Sequence, residues 1–202
     1  MKRGLLVIIS GPAGTGKGTV ISNLMKDSDE FVYSVSATTR TPRPGEIDGK
    51  SYFFVSREQF EEKIKKGEML EYAEYVGNLY GTPRDAVEKS LDEGHHVILE
   101  IETQGALKVK EKCRDAVSIM LLPPDGKTLR ERLERRGTEN ADVVERRMQT
   151  AQREVMKLGR YDYIVVNEND CAAKAAENIK KIIDVELMKT SRNLDFKEKY
   201  FD

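Results

Sequence analysis

Nine residues near the start, Gly11-Pro12-Ala13-Gly14-Thr15-Gly16-Lys17-Gly18-Thr19, leave this chain little choice of fold. They follow a short apolar run, Leu5–Ile9, and precede Val20, Ile21, Leu24 and Met25 at helical spacing, so a buried strand turns through glycine into a helix. Glycine lets successive N–H groups of such a turn face inward, and the start of the helix adds its partial positive charge, which suits phosphate oxygens. Lys17 stands where an ammonium bridges the β- and γ-phosphates of a nucleoside triphosphate. Gly18 occupies the position at which Ser or Thr more often ligates Mg²⁺, leaving Thr19 beside phosphate and a metal held largely through water. A glycine-rich turn with an exposed lysine is the bland alternative, and the flanking strand and helix weigh against it.

The same alternation recurs. Val97–Ile101, Val117–Leu122 and Tyr161–Val166 read as buried strands, and Ile179, Ile182, Ile183 and Leu187 form a second helical stripe, so both stripes are expected to face a parallel sheet. Residues 36–80 break this rhythm. Tyr52–Val55 and Met69–Val76 look like strands, while Pro42, Pro44, Gly45, Asp48-Gly49 and Gly77-Asn78 supply turns, which predicts a small, partly antiparallel lobe. Within it, Ser56-Arg57-Glu58-Gln59 fits a capping box opening a helix through Phe60 and Ile64 that stops at Gly67. Thr82-Pro83 reads as an N-cap followed by a proline at the first helical position, with Gly94 closing that helix.

With 34 Lys+Arg against 35 Asp+Glu the chain has no long-range pull toward nucleic acid or membrane, so any anion must be bound by a local cluster. No apolar run approaches the ~18 residues that span a bilayer. Cys113 and Cys171 lack C-x-x-C spacing and are expected to stay reduced, in a cytoplasmic protein.

Three local clusters stand out. Arg40 and Arg43 lie three apart around prolines that favour an extended path of about three residues per turn, which points both guanidinium forks the same way, toward a phosphate dianion. A solvated, proline-stiffened loop is the other reading. Glu100 and Glu102, at the end of a strand, share a face and look toward the ligand crevice of an open parallel sheet. Arg132, Arg135 and Arg136 precede Gly137-Thr138, and Arg146-Arg147 follow on a second helix; the interleaved Glu131, Glu134 and Glu145 also allow plain ion pairs on a solvated surface. His95 and His96 are expected only to border a strand.

Ser36 to Glu46, Gly77 to Thr82, Glu100 to Ala106 and Arg136-Gly137-Thr138, in this order beside the phosphate loop, together resemble guanylate kinases from about Gly4 to Met188. The resemblance implies a three-layer α/β sandwich of the P-loop NTPase type with a central parallel sheet, a GMP-binding lobe and a helical lid. It divides the chain into a core (1–35, 83–126 and 158–189), the GMP lobe (36–82), a lid (127–157) and a tail (190–202) that the resemblance does not cover. It implies ATP + GMP ⇌ ADP + GDP, with ATP on Gly11 to Thr19 and bordered by Asn167 and Glu168. GMP would lie on Ser36, Arg40, Arg43, Tyr52, Glu71, Tyr80, Thr82 and Glu102, and Lys17, Arg132, Arg136 and Arg147 would carry the chemistry. Mg²⁺ would accompany ATP near Thr19 and Glu100, through water, although aspartate is common at the positions of Glu100 and Glu102 in the family. Considered singly, Glu71 could be an outward residue of an edge strand and Tyr52 and Tyr80 half-buried packing. A kinase for another monophosphate and a non-catalytic binding module remain as rivals, and the sequence is silent on oligomeric state, a homo-oligomer included.

Overall fold

All five residues of the strand Leu6–Ser10 are buried, which requires a strand covered on both faces. A computed structural model describes residues 2–26, 28–75, 77–135 and 141–200. In chain order its elements are β1 (Leu6–Ser10), α1 (Lys17–Met25), β2 (Phe31–Tyr33), β3 (Ala37–Thr38), β4 (Phe53–Phe54), α2 (Arg57–Lys65), β5 (Met69–Tyr75), β6 (Asn78–Pro83), α3 (Arg84–Asp92), β7 (His96–Glu100), α4 (Thr103–Lys112), β8 (Val117–Leu122), α5 (Gly126–Arg135), α6 (Ala141–Val155), β9 (Tyr163–Val166), α7 (Ala172–Leu187) and α8 (Phe196–Lys199).

The central sheet is parallel throughout, in the order β2-β7-β1-β8-β9. Alternation along β1 separates its two faces. Val7 and Ile9 pack with Val20 and Leu24 of α1 and Ile179 and Ile183 of α7, whereas Leu6 and Ile8 pack with Val87 of α3 and Val109 of α4. The result is a three-layer α/β sandwich with both expected stripes on the same face of the sheet.

A second, mixed sheet runs β4-β3-β6-β5, antiparallel except between β3 and β4. Its own small core joins Ala37, Met69 and Leu79 to Phe60 of α2. Helix α2 opens with the expected capping box: Ser56 Oγ accepts from Gln59 N–H at 3.2 Å and Gln59 Oε1 accepts from Ser56 N–H at 2.9 Å. The hairpin α5–α6 buries Leu129 and Leu133 against Val144 and Ala151. Among the interleaved charges, Arg130 reaches across the hairpin to Glu145 at 2.8 Å, while Lys127 and Glu131 span one turn at 4.0 Å.

The structure corrects the sequence reading in four places. Phe31–Tyr33 is a fifth strand of the sheet, too short to show a periodicity and recruited by pairing with β7. Thr82 and Pro83 finish β6, and helix α3 starts one residue later, because the strand pairing of Pro83 with Met69 outlasts the local helix-start signal. Glu102 lies beyond β7 as the N-cap of α4, so the two-residue strand period does not relate it to Glu100. His96 is the first residue of the inner strand β7 and has a partner, its Nδ1 accepting from Leu5 N–H at 3.0 Å. Both cysteines are free thiols, and among the described residues no helix is long and apolar enough to cross a membrane.

Residues after α7 are tied back by a carboxylate. Glu186, 1% exposed, accepts from Tyr163 OH at 2.5 Å and pairs with Lys189 at 2.5 Å and Arg192 at 3.1 Å. Burial pushes its pKa up, but Lys189, Tyr163 and Arg192 together hold it below the ordinary 4.5. A folded-state pKa below the unfolded one adds stability above the unfolded value, and that stability is lost as pH falls through the folded value. Glu186→Gln is therefore expected to cost about 2 kcal/mol near neutral pH, with the gap to wild type closing well below pH 4.5 in thermal melts across a pH series.

Candidate active site

The loop between β1 and α1 lies at the carboxyl end of the parallel strands, where open α/β sheets bind ligands. Its tight path depends on glycine at two points. A Cβ on Gly11 would stand 2.2 Å from Leu121 O of β8, and Gly16, left-handed at φ 85°, would drive a Cβ to 2.6 Å from Asn167 Nδ2. Gly16 is the N-cap of α1 and offers no side chain to the first-turn amides. Lys17 folds back over the turn, donating to the carbonyls of Gly11 at 2.6 Å and Pro12 at 3.1 Å. Gly14 and Thr15 are buried, whereas Ala13, Gly18 and Thr19 are exposed.

Asn167, 5% exposed just after β9, braces this loop from behind by donating to Thr15 O at 2.8 Å. Glu168 next to it is exposed. Arg132 of α5 joins the same brace, donating to Asn167 O at 2.8 Å, Thr15 O at 3.4 Å and, through two of its nitrogens, to Asn169 Oδ1 at 2.9 and 3.1 Å. Arg147 is half-buried on α6, and Arg136 lies outside the described residues. Glu100 ends β7 at the position paired with Ile9, one residue before the end of β1, and Tyr33 OH donates to its Oε2 at 3.4 Å. Burial, aided by Glu100, pushes the Tyr33 hydroxyl up to about 12.

Between the two sheets lies a cavity of about 370 Å³, onto which Ser36, Tyr52, Glu71, Tyr80, Glu100 and Glu102 all open. Thr82 belongs to it through Glu71, donating to Oε1 at 2.8 Å. Arg40 stacks on Tyr52 and Phe54, 5.6 and 5.9 Å from their ring centres, and donates to Glu46 Oε1 at 2.8 Å. Glu46 Oε2 also accepts the Arg43 N–H at 2.7 Å, so one carboxylate organises the whole turn. The Arg43 backbone is thereby fixed on an exposed loop. A larger cleft of about 750 Å³ opens around Gly4, Leu5 and Leu6, where β1 begins, at the opposite end of the strands from the phosphate loop.

Glu71 is the electrostatic centre of the smaller cavity. It is 8% exposed, and burial pushes its carboxyl above the usual value against the opposing pull of Thr82, Lys108 and Lys112. A Cβ on Gly105 would come within 3.3 Å of its Oε2, so this wall can come no closer. Sequence reasoning gave no place in the site to Glu46, Gly105, Lys108 or Asn169. Glu46 alone carried a local signal, six residues after Arg40 in the same proline-rich turn.

Residues 3–186 match the family model described as guanylate kinase. A guanylate kinase of Lactococcus lactis is 53% identical over 194 residues, covering 96% of this chain and 94% of its own length. One from Halalkalibacterium halodurans is 52% identical with the same coverage. The crystal structure of guanylate kinase from Anaplasma phagocytophilum superposes with a TM-score of 0.69 at 35% identity, over 95% of this chain and 90% of the other.

The raised pKa of Glu71 has a sign that melting can read. The folded state holds this proton more tightly than the unfolded chain, so the contribution of Glu71 to stability is fully present below pH 4.5 and is lost as pH rises through the folded value. Glu71→Gln, which keeps an acceptor for Thr82, should raise the melting temperature of the unliganded protein by a few degrees at pH 7 and by nothing at about pH 4.

Proposed function

The chain belongs to the guanylate kinase family, and from that premise we propose how its residues move the γ-phosphoryl group of ATP to GMP, giving ADP and GDP. The loop Gly11 to Thr19 holds the triphosphate, with the first-turn amides of α1 and the Lys17 ammonium donating to its oxygens. The cavity between the sheets holds GMP. The observation that carries this reading is Glu71, a carboxylate almost out of water, bonded to Thr82 and opening on a cavity. Guanine presents an N1–H and a 2-amino group that one carboxylate accepts together, while a hydroxyl such as that of Ser36 suits O6, and Thr82 reads the base through the proton it gives Glu71. Adenine offers that carboxylate no such pair and leaves a buried charge unpaired, which a polar site rejects strongly.

At the other end of GMP, Arg40 and Arg43 with Tyr52 and Tyr80 take the phosphate, and Glu102 borders the base. Arg40 comes to this task already oriented, held by Glu46 and stacked on Tyr52 and Phe54. That leaves less side-chain freedom to lose on binding. The acceptor is a phosphate oxygen already ionised near neutral pH, so the step needs alignment and charge neutralisation rather than a strong base. Lys17 supplies charge from the loop, and Arg132, Arg136 and Arg147 supply it from the α5–α6 segment. Asn167 and Glu168 border the adenine of ATP.

The oxygens near the loop suit Mg²⁺. Thr19 offers a hydroxyl in the first turn of α1 and Glu100 a carboxylate at the end of β7, opposite Ile9. A hard cation that keeps several waters and needs only one or two protein oxygens fits such a set, held through water. When bound with ATP it neutralises charge on the β- and γ-phosphates. Segments 36–82 and 127–157 close over the two substrates, excluding the water that would otherwise accept the γ-phosphoryl group.

A coupled assay with ATP and, in turn, GMP, AMP and dTMP tests the assignment of the acceptor. GMP should be used far faster than the other two, and a preference for AMP or dTMP would remove Glu71 from its role. Lys17→Ala should lower kcat by at least ~10²-fold, as loss of a charge-stabilising donor does, with the fold intact; a near-normal rate in the folded variant would defeat the loop assignment.

A further inference from the structure

Strand β5 departs from regular pairing at one place. Opposite β6, Met69 faces Pro83 and Glu71 faces Thr82, so Leu70 is the extra residue of a bulge. Three consecutive side chains thereby reach three destinations: Met69 joins the small core with Phe60, Leu70 joins the main-sheet core with Val87 and Ala106, and Glu71 opens on the cavity. Bulges disrupt the ladder locally and re-aim side chains beside active sites. Here the carbonyls at the bulge are held from outside the sheet. The Lys112 ammonium, at the last residue of α4, donates to Leu70 O at 2.8 Å and to Met69 O at 3.3 Å.

We propose that Lys112 is a positioning residue for acceptor choice: by gripping both carbonyls of the bulge it fixes the direction in which Glu71 leaves the strand, and with it the preference for a purine that carries a 2-amino group. The inference rests on the reading of Glu71 as the group that recognises the base. Lys112 does not line the cavity, so it acts through the backbone rather than on the nucleotide. Lys108, one turn earlier on α4, does line it, and both ammonium groups oppose the burial that raises the Glu71 carboxyl. The front face of the same carboxylate is limited by Gly105 of α4. One helix thus sets how far Glu71 reaches and which way it points.

The test compares GMP with inosine monophosphate, which keeps N1–H and O6 but lacks the 2-amino group, in full-length wild type, Lys112→Met, Lys112→Arg and Glu71→Gln. Lys112→Met keeps the apolar stem and removes the donor. It should raise KM for GMP about tenfold and shrink the preference for GMP over inosine monophosphate by a similar factor, with KM for ATP within about twofold of wild type. Lys112→Arg, still a donor, should recover both values. An unchanged preference in Lys112→Met overturns the inference, as does a common rise in KM for ATP and GMP. Glu71→Gln separates the two possible failures. If it too keeps the wild-type preference, the assignment of Glu71 falls; if it loses the preference while Lys112→Met keeps it, only the role of Lys112 falls. Should Lys112→Met not fold, Lys112→Leu, which likewise lacks the donor, is read by the same ratio.

Discussion

The contact on which the remainder rests is backbone against backbone: the phosphate loop lies so close to β8 that Gly11 has no room for a side chain beneath Leu121 O. From behind, Asn167 at the end of β9 pins Thr15 O. Three neighbouring strands, β1, β8 and β9, therefore fix a turn that has no regular hydrogen bonding of its own. An anion site made of amides works only if the amides hold their direction without the anion, since any reorganisation on binding is subtracted from affinity. The burial of β1 along its whole length is what lets the loop that follows it stay in place.

Charge is handled differently at the two ends of the proposed acceptor cavity. Arg40 is paired in advance with Glu46, a partly exposed carboxylate that orients it. Glu71 is kept nearly dry and opposed by distant ammonium groups and a single hydroxyl. The first arrangement favours the folded chain, and the second works against it, because an ionised carboxyl is expensive to bury unless paired. The strain on Glu71 is consistent with a site built for a partner that brings its own donors.

How much could be read from sequence follows the range of the interactions involved. The phosphate loop was legible because its glycines, lysine, strand and helix are contiguous. So was the capping box at Ser56, where both bonds fall within four residues. Tyr33, by contrast, acquires its strand only from pairing with β7, and Thr82 stays in β6 because Met69 faces Pro83 across the hairpin. The bulge at Leu70 has no glycine or proline to announce it, and Lys112 finds its carbonyls forty-two and forty-three residues away. Arg132 was singled out from its neighbours in sequence, but its contact with Asn169 depends on how α5 lies over the end of β9. Residues that make the local frame were visible, and those that aim it through space were not.

The extra residue in β5 also places Met69 and Leu70, adjacent in the chain, in two separate cores. Neither sheet can lose its packing without disturbing a side chain bonded covalently next to the other. The mixed sheet shares packing with the parallel sheet at this point. It is coupled to the parallel sheet in unfolding, so that cooperativity, which usually ends at a linker, runs through a single peptide unit between them.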